Sequence, residues 1–279
     1  MAEVTDIQRQ SGDYKQIAKA LSEGRVGFAF EELDKLGWIR QVDDAERYQQ
    51  LAAAYLDATK ERAKDGKPKT ALVVSPTHAE AAKVTDAIRT SMKVEGTLTK
   101  ERTVTAYVPA HLTDAQKTDA TEYEPGDLIQ CHQNATGFTK GSRLVVGEET
   151  KPPTDLAERF EVYRSKPLSL AVGDRIRITA GGMTKDGKHR LSNGSLFTIE
   201  GFTATGDIKV NDGWVIDHDF GHLTHGYVTT SHASQGATVS KVFVAIDSES
   251  MKATDQRTAY VAVTRGKEQA VIFTDDHLE

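Results

Sequence analysis

Between two apolar runs, His225–Ser231 and Lys241–Ile246, the chain carries Ser231-His232-Ala233-Ser234-Gln235-Gly236, which gathers hydroxyls, an imidazole and a glycine-freed backbone. A loop of this kind at the carboxyl edge of a parallel sheet lies where open α/β folds bind ligands. A hydrolase would need Ser231 or Ser234 aligned with His232 as nucleophile and base. Near neighbours rarely align that way, and the sequence has no G-x-S-x-G elbow. The stretch therefore reads as a binding loop or an ordinary polar loop. Tyr260-Val261-Ala262-Val263-Thr264-Arg265-Gly266 places one arginine where an apolar run ends. A planar, always-charged donor there suits a phosphate, above all the γ-phosphate of a nucleotide, although a lone surface arginine explains it as simply. Ile7-Gln8-Arg9-Gln10 is equally plain when taken alone. His218, His222 and His225, with Asp217 and Asp219, have the donor chemistry of a zinc or iron site. Their stretch has β and turn character, so the imidazoles need not share a face, and no metal site is expected. Cys131 reads as a small buried hydrophobe.

The elements that position these groups change character along the chain. Tyr14, Ile17 and Leu21 lie on one helical face after Ser11-Gly12-Asp13 and before Gly24. Val26, Phe30 and Leu33 repeat that spacing up to Gly37, and Asp44 to about Ala63 carries a third amphipathic helix. Thr70 to Ser75 is a short unbroken run rich in β-branched residues and suited to a strand buried on both faces, and Pro76 breaks it before a helix over about Thr77 to Met92. Strand into helix through Ser75-Pro76-Thr77-His78 is an α/β pattern. From about Glu101 to Gly226 short strands alternate with turns at Lys185-Asp186-Gly187, Asn193-Gly194, Thr205-Gly206-Asp207 and Asn211-Asp212-Gly213, as in a small barrel or meander. A helix is expected from near Thr154, after Pro152-Pro153. Apolar runs at His225–Ser231, Lys241–Ile246 and Ala270–Thr274 then return to the α/β pattern.

Composition bounds what such a molecule can be. The chain has 279 residues, 38% of them hydrophobic, which suffices for one large or two ordinary domains. Its single cysteine closes no internal disulfide, which fits a reducing cytoplasm. No apolar run approaches a membrane span and the first residues lack a leader pattern, so neither membrane insertion nor export is expected. A net charge of −6 argues against binding nucleic acid by bulk charge alone. Nucleic-acid contact must be local.

Taken together, IQRQ (7–10), VVSPTHAEA (73–81), GYVTTSHASQGATV (226–239) and AYVAVTRG (259–266) resemble, in order, the later motifs of RecD-like superfamily 1 DNA helicases. The whole chain from about Ile7 to Asp275 is similar to the carboxyl half of the helicase region of conjugative relaxases of the TraI/TrwC, or MobF, type. The run GDRIRITAGGMTKDGKHRLSNGSLFTIEGF (173–202) is its most specific part. The resemblance implies an α/β fold: a RecA-like, P-loop-NTPase-type second motor lobe with a parallel sheet, interrupted by an SH3-like β-barrel insertion. Residues 1–120 would form a helical lead-in and the first part of the lobe, 121–223 the insertion, and 224–279 the second part.

The resemblance also assigns roles. Arg9 and Arg265 match the arginines of the fourth and sixth motifs, which reach across a cleft to the γ-phosphate of ATP. Gln10 and Gly236 would lie beside the nucleotide, and Gln235 would link that cleft to the DNA track. Thr77, His78, Thr230 and His232 match single-strand contacts, with Asn193 added from the insertion. The sequence departs from the family in lacking G-x-x-x-x-G-K-[ST], an acidic Walker B pair and a nickase histidine cluster. Gln8 also replaces an aromatic residue. ATP and Mg would therefore be held mainly by an N-terminal RecA-like lobe, with no cofactor held by this chain alone. Hydrolysis by the chain alone should be negligible and its DNA binding weak. The expected role is half of a 5′-to-3′ DNA helicase acting in conjugative transfer on single-stranded DNA. The alternative is a non-catalytic module that binds DNA or docks to the coupling protein of a type IV secretion channel.

Overall fold

The computed structural model describes residues 10, 12–63, 65–230, 238–247 and 261–275. In chain order the first elements are α1 (Gly12–Ser22), α2 (Val26–Lys35), β1 (Ile39–Gln41), α3 (Asp44–Lys60), β2 (Ala71–Val74) and α4 (His78–Val94). A strand-rich stretch follows with β3 (Thr99–Pro109), the single turn α5 (Asp114–Lys117), β4 (Leu128–Cys131), β5 (Arg143–Val145), β6 (Phe160–Val172) and β7 (Arg175–Ile178). It continues through β8 (Gly182–Met183), β9 (Arg190–Leu191), β10 (Leu196–Phe202), β11 (Ile208–Val210), β12 (Val215–Ile216) and β13 (Leu223–His225). Then come β14 (Val228–Thr229), β15 (Val239–Ala245) and β16 (Gly266–Thr274). Among the described residues no helix is long and apolar enough to cross a membrane.

The chain divides into two compact units, Met1–Leu98 with His225–Glu279, and Thr99–Thr224. The first is built on a parallel sheet of order β1-β16-β15-β2-β14. Residues 70–92 and 226–275 thus contribute strands to one sheet, as a split α/β unit requires. Side-chain alternation sorts its two faces. Val73, Phe243 and Phe273 pack with Leu51 and Tyr55 of α3 and Val84 and Ile88 of α4. Their sequence neighbours Val74, Val242, Val244 and Ile272 pack on the other face with Ile17 and Leu21 of α1 and Leu33 of α2. The result is helix, sheet and helix in three layers, which is why the strands read as unbroken apolar runs. Helix α1 closes where Gly24 takes φ +82° and Arg25 N–H donates to the Ala20 carbonyl at 2.8 Å.

The second unit is antiparallel. A four-stranded sheet of order β3-β6-β4-β5 covers a core of Ile129, Cys131, Phe160 and Val162. A five-stranded sheet of order β12-β11-β10-β7-β13 covers Ile176, Ile178, Phe197, Ile199 and Val210, and Leu170 of the long β6 joins that second core. At the meeting of these cores His222 is fully buried, its Nε2 paired with Gln130 and its ring within 6 Å of those of Tyr107, Tyr163 and Phe220. Gly221 is needed there: at φ +66° a β-carbon would fall 2.1 Å from the Tyr107 ring.

Three boundaries differ from the sequence reading. The strand-rich unit begins at Thr99, not at residue 121, because β3 pairs along its length with β6. The helix expected from Thr154 is a short 3-10 segment, Thr154–Arg159, that leads directly into β6. The run His225–Ser231 is not one strand: β13 ends at His225 in the antiparallel sheet and β14 begins two residues after Gly226 in the parallel one.

Candidate functional site

Every strand of the parallel sheet points the same way, so polar residues before and after the strands collect at opposite edges. At the carboxyl edge β2 runs into Ser75 and Pro76, and Thr77 caps α4 by accepting from the Glu80 N–H at 3.2 Å. His78 follows as the first helical residue and is exposed. The pairing of β14 with β2 sets Thr229 beside Val74, and Ser75 N–H donates to the Thr229 carbonyl at 3.1 Å. Thr230 therefore stands at the same edge as Thr77 and His78. A helix N-terminus with neighbouring hydroxyl and imidazole groups is suited to a phosphate backbone without a basic surface.

Beneath this turn lies a buried ionic cluster that the sequence reading missed. Arg47, in the first turn of α3, is 0% exposed. Its guanidinium lies 3.1 Å from Asp44, 3.5 Å from Glu80, 3.8 Å from Asp247 and 3.2 Å from Asp275, and it donates to the Tyr48 hydroxyl at 2.8 Å. Asp247 and Asp275 follow β15 and β16, so the cluster gathers the ends of two strands and the starts of two helices. Burial pushes the Glu80 carboxyl up to about 7; the Asp247 charge adds to this, while Arg47 and Ser75 oppose it. One signal was available, because Thr77-x-x-Glu80 has capping-box spacing. Only half the box forms: the Glu80 carboxyl turns inward to Ser75 Oγ at 3.1 Å and to Arg47.

At the amino edge, Arg265 and Gly266 enter β16. The Gln10 side-chain amide donates to the carbonyls of Thr264 at 2.9 Å and Gly266 at 2.7 Å, and the Tyr14 hydroxyl donates to that of Val263. Arg265 Nε donates to the Val261 carbonyl at 2.9 Å. Gln10 and Arg265, both expected beside the nucleotide, thus lie at the same edge of the sheet. Glu268, early in the same strand, is paired with Lys69 at 2.6 Å, and Glu61 with Lys69 at 3.3 Å. The edge therefore carries an arginine whose Nε is anchored to the backbone. That donor set fits an anionic phosphate, whereas Mg needs oxygen ligands from elsewhere.

Arg9, His232, Gln235 and Gly236 lie outside the described residues. Asn193 sits exposed in a turn of the strand-rich unit, where Ser195 N–H donates to the Ser192 carbonyl at 3.0 Å. The histidines do not converge. His222 is buried against Gln130, and burial followed by the Arg143 charge lowers its pKa to about 4. His225 lies near Tyr227. His218 keeps acidic company, with Asp207, Asp217 and Asp219. The Lys185 ammonium already lies 2.7 Å from both Asp207 oxygens, which puts a cation in place without a metal. Burial alone would raise the Asp207 carboxyl; Lys185, Thr205, His218 and Thr203 outweigh it and hold the group well below the usual carboxylate range.

Residues 198–274 match the viral superfamily 1 RNA helicase core domain. Over that span the chain is similar to a helicase core. Among solved structures, the Bacteroides Pif1 helicase bound to single-stranded DNA is similar over 98% of this chain and 51% of its own, at 15% identity and a TM-score of 0.47. The Bacteroides Pif1 complex with ADP-AlF3 and single-stranded DNA matches over 100% and 52% at 14% identity and 0.45. Pif1 from Candida albicans matches over 96% and 55% at 16% identity and 0.42. The chain spans about half the length of these structures. No curated protein sequence matches it.

Proposed function

We propose that this chain is the second RecA-like lobe, with an SH3-like insertion, of an ATP-driven superfamily 1 DNA helicase within a conjugative relaxase. The observation that carries the reading is the separation of chemistry on one sheet: an anchored arginine at the amino edge and a hydroxyl-and-imidazole turn at the carboxyl edge. Arg265, with Arg9, would reach the γ-phosphate of ATP held with Mg by an N-terminal RecA-like lobe, offsetting charge as the phosphoryl group leaves. Bound Mg–ATP would supply the phosphoanhydride whose hydrolysis drives movement. Gln10 holds the carbonyls on either side of the arginine, Gly236 would stand beside the nucleotide, and Gln235 would couple the two edges. Thr77, His78, Thr230 and His232 would hold single-stranded DNA, with Asn193 contributing from the insertion. The match of residues 198–274 to a superfamily 1 core supports the helicase part of this reading. The resemblance of motifs supports the relaxase part.

The test is to join this chain to a Walker-bearing first lobe and measure DNA-stimulated ATP hydrolysis with and without Arg265→Ala. Loss on the order of 10³ in rate is expected for an arginine finger. Activity surviving within a few fold overturns the assignment. If no lobe confers hydrolysis while the chain still binds DNA or a secretion coupling protein, the non-catalytic module replaces the motor.

A further inference from the structure

The helicase chemistry above makes no use of Glu80, which is 2% exposed in the first turn of α4. Its Oε2 accepts from Ser75 Oγ at 3.1 Å, and its Oε1 lies 3.5 Å from Arg47 and finds no hydrogen-bond donor among the described residues. Ser75 Oγ lies equally close, at 3.1 Å, to the carbonyl oxygen of Thr77. A hydroxyl has one proton to donate. With Glu80 ionised, the Ser75 proton goes either to the carboxylate or to Thr77, and one contact is lost. With Glu80 protonated, the acid donates to Ser75 Oγ and Ser75 donates to the Thr77 carbonyl, so both contacts hold together.

We propose that Glu80 is a positioning residue for the carboxyl-edge turn: whether it carries a proton decides if Ser75 tethers the Thr77 carbonyl, and so how Thr77 and His78 are presented to a phosphate backbone. The proposal rests on the reading of that turn as a strand contact and adds its regulation by pH. Among the described residues, charged groups reach Glu80 directly or through Arg47 from the elements packed against it. Helix α3 supplies Arg47 and Asp44, the end of β15 supplies Asp247, and the end of β16 supplies Asp275. On α4 itself, His78 stands beside the turn, and Lys83 lies over the Tyr48 ring that borders Arg47. Because three aspartates still face Arg47, neutralising Glu80 strands no buried cation. It also removes one negative charge beneath the phosphate site. The carboxyl changes state near neutrality, since burial brings it up to about 7.

Two measurements on the full chain test this. The first follows the His78 backbone amide nitrogen by NMR from pH 5.5 to 8.5 without DNA, because its shift reports hydrogen bonding at the preceding Thr77 carbonyl. Wild type should titrate with a midpoint near 7, and Glu80→Gln, neutral throughout, should lose that step. Identical titrations overturn the proposal whatever the DNA result. The second measures anisotropy of a labelled oligothymidylate. Wild-type affinity should fall about threefold more than that of Glu80→Gln between pH 6 and 8.5, equivalent to about half a pKa unit of linkage. Superimposed affinity profiles overturn the link to binding. His78→Ala at pH 6 checks the underlying reading separately: weakening of several fold sustains the strand contact, and unchanged affinity overturns it together with any role of Glu80 at the strand.

Discussion

Gln10 and Gly266 stand 256 residues apart and meet through a 2.7 Å hydrogen bond from the Gln10 amide to the Gly266 carbonyl oxygen. With the contacts to Thr264 and Val263, this bond fixes the backbone on both sides of Arg265 from the start of α1. A β-carbon at Gly266 would lie 2.5 Å from the Gln269 carbonyl oxygen and 2.7 Å from the Tyr14 hydroxyl. Gly266→Ala should therefore displace Tyr14 and cost about 1–3 kcal/mol, the usual scale of overpacking. Gln10→Ala should cost about 1 kcal/mol for its lost hydrogen bonds. Urea melts give both values, and a neutral Gly266→Ala would show that the arginine's support is looser than its geometry.

The Glu80 carboxyl also leaves a signature in stability. Its folded-state pKa of about 7 exceeds the ordinary 4.5, so the folded chain binds more protons between these values. The associated stability is present below about pH 4.5 and is lost as pH rises to 7, by about 3 kcal/mol at most. Glu80→Gln should not share that loss. The difference in melting temperature, variant minus wild type, should grow more positive from pH 5 to pH 8. A difference that stays flat with pH would contradict the raised pKa.

His222 works in the opposite direction. Burial, then the Arg143 charge, lowers its pKa from 6.5 to about 4, so stability is full above pH 6.5 and falls as acid forces a proton onto the buried ring. The loss amounts to about 3 kcal/mol by pH 4. His222→Gln should flatten this acid limb. The readout is urea unfolding followed by Trp214 fluorescence with Trp38 replaced by Phe, since Trp214 lies in the same unit.

Asp207 should be the most sensitive acid of the strand-rich unit. It is 3% exposed and accepts from Lys185, Thr203, Thr205 and His218. Asp207→Asn leaves the shape and removes the charge that Lys185 faces, for an expected loss of about 2–3 kcal/mol. Addition of zinc or magnesium to wild type should leave the melting temperature unchanged, because Lys185 holds the cation position. A rise of several degrees with metal would show that the ammonium gives way.

The sequence announced some of these features and hid others for physical reasons. β2 and α4 were legible because Ala71–Val74 is apolar without a break and Pro76-Thr77 is a helix start. The edge residues Thr77, His78, Thr230 and Arg265 followed from motif order, and strand direction then sorts them. β3 was not legible: Thr99–Pro109 is mostly exposed and does not alternate, because its stability comes from pairing with β6. β6 hides behind Pro167, which pairs opposite Thr105 where a proline argues against a strand. Arg47 was invisible because Asp44-Ala45-Glu46-Arg47 reads as a solvated helix start. Glu80 and the strand ends at Asp247 and Asp275, 200 and 228 residues later in the chain, make that position interior.

The parallel sheet has a consequence for how the protein is made. Ser240 N–H reaches the Thr70 side chain across 170 residues of chain, and β2 has both of its neighbours, β14 and β15, on the far side of the strand-rich unit. At roughly 5–20 residues per second of synthesis, β2 waits on the order of ten to thirty seconds for β15. The strand-rich unit can close during that interval, but Val73, Val74 and the inner faces of α1 to α4 have no sheet to cover. Chaperone capture during translation, and sensitivity of yield to elongation rate, should therefore concentrate on the first 98 residues.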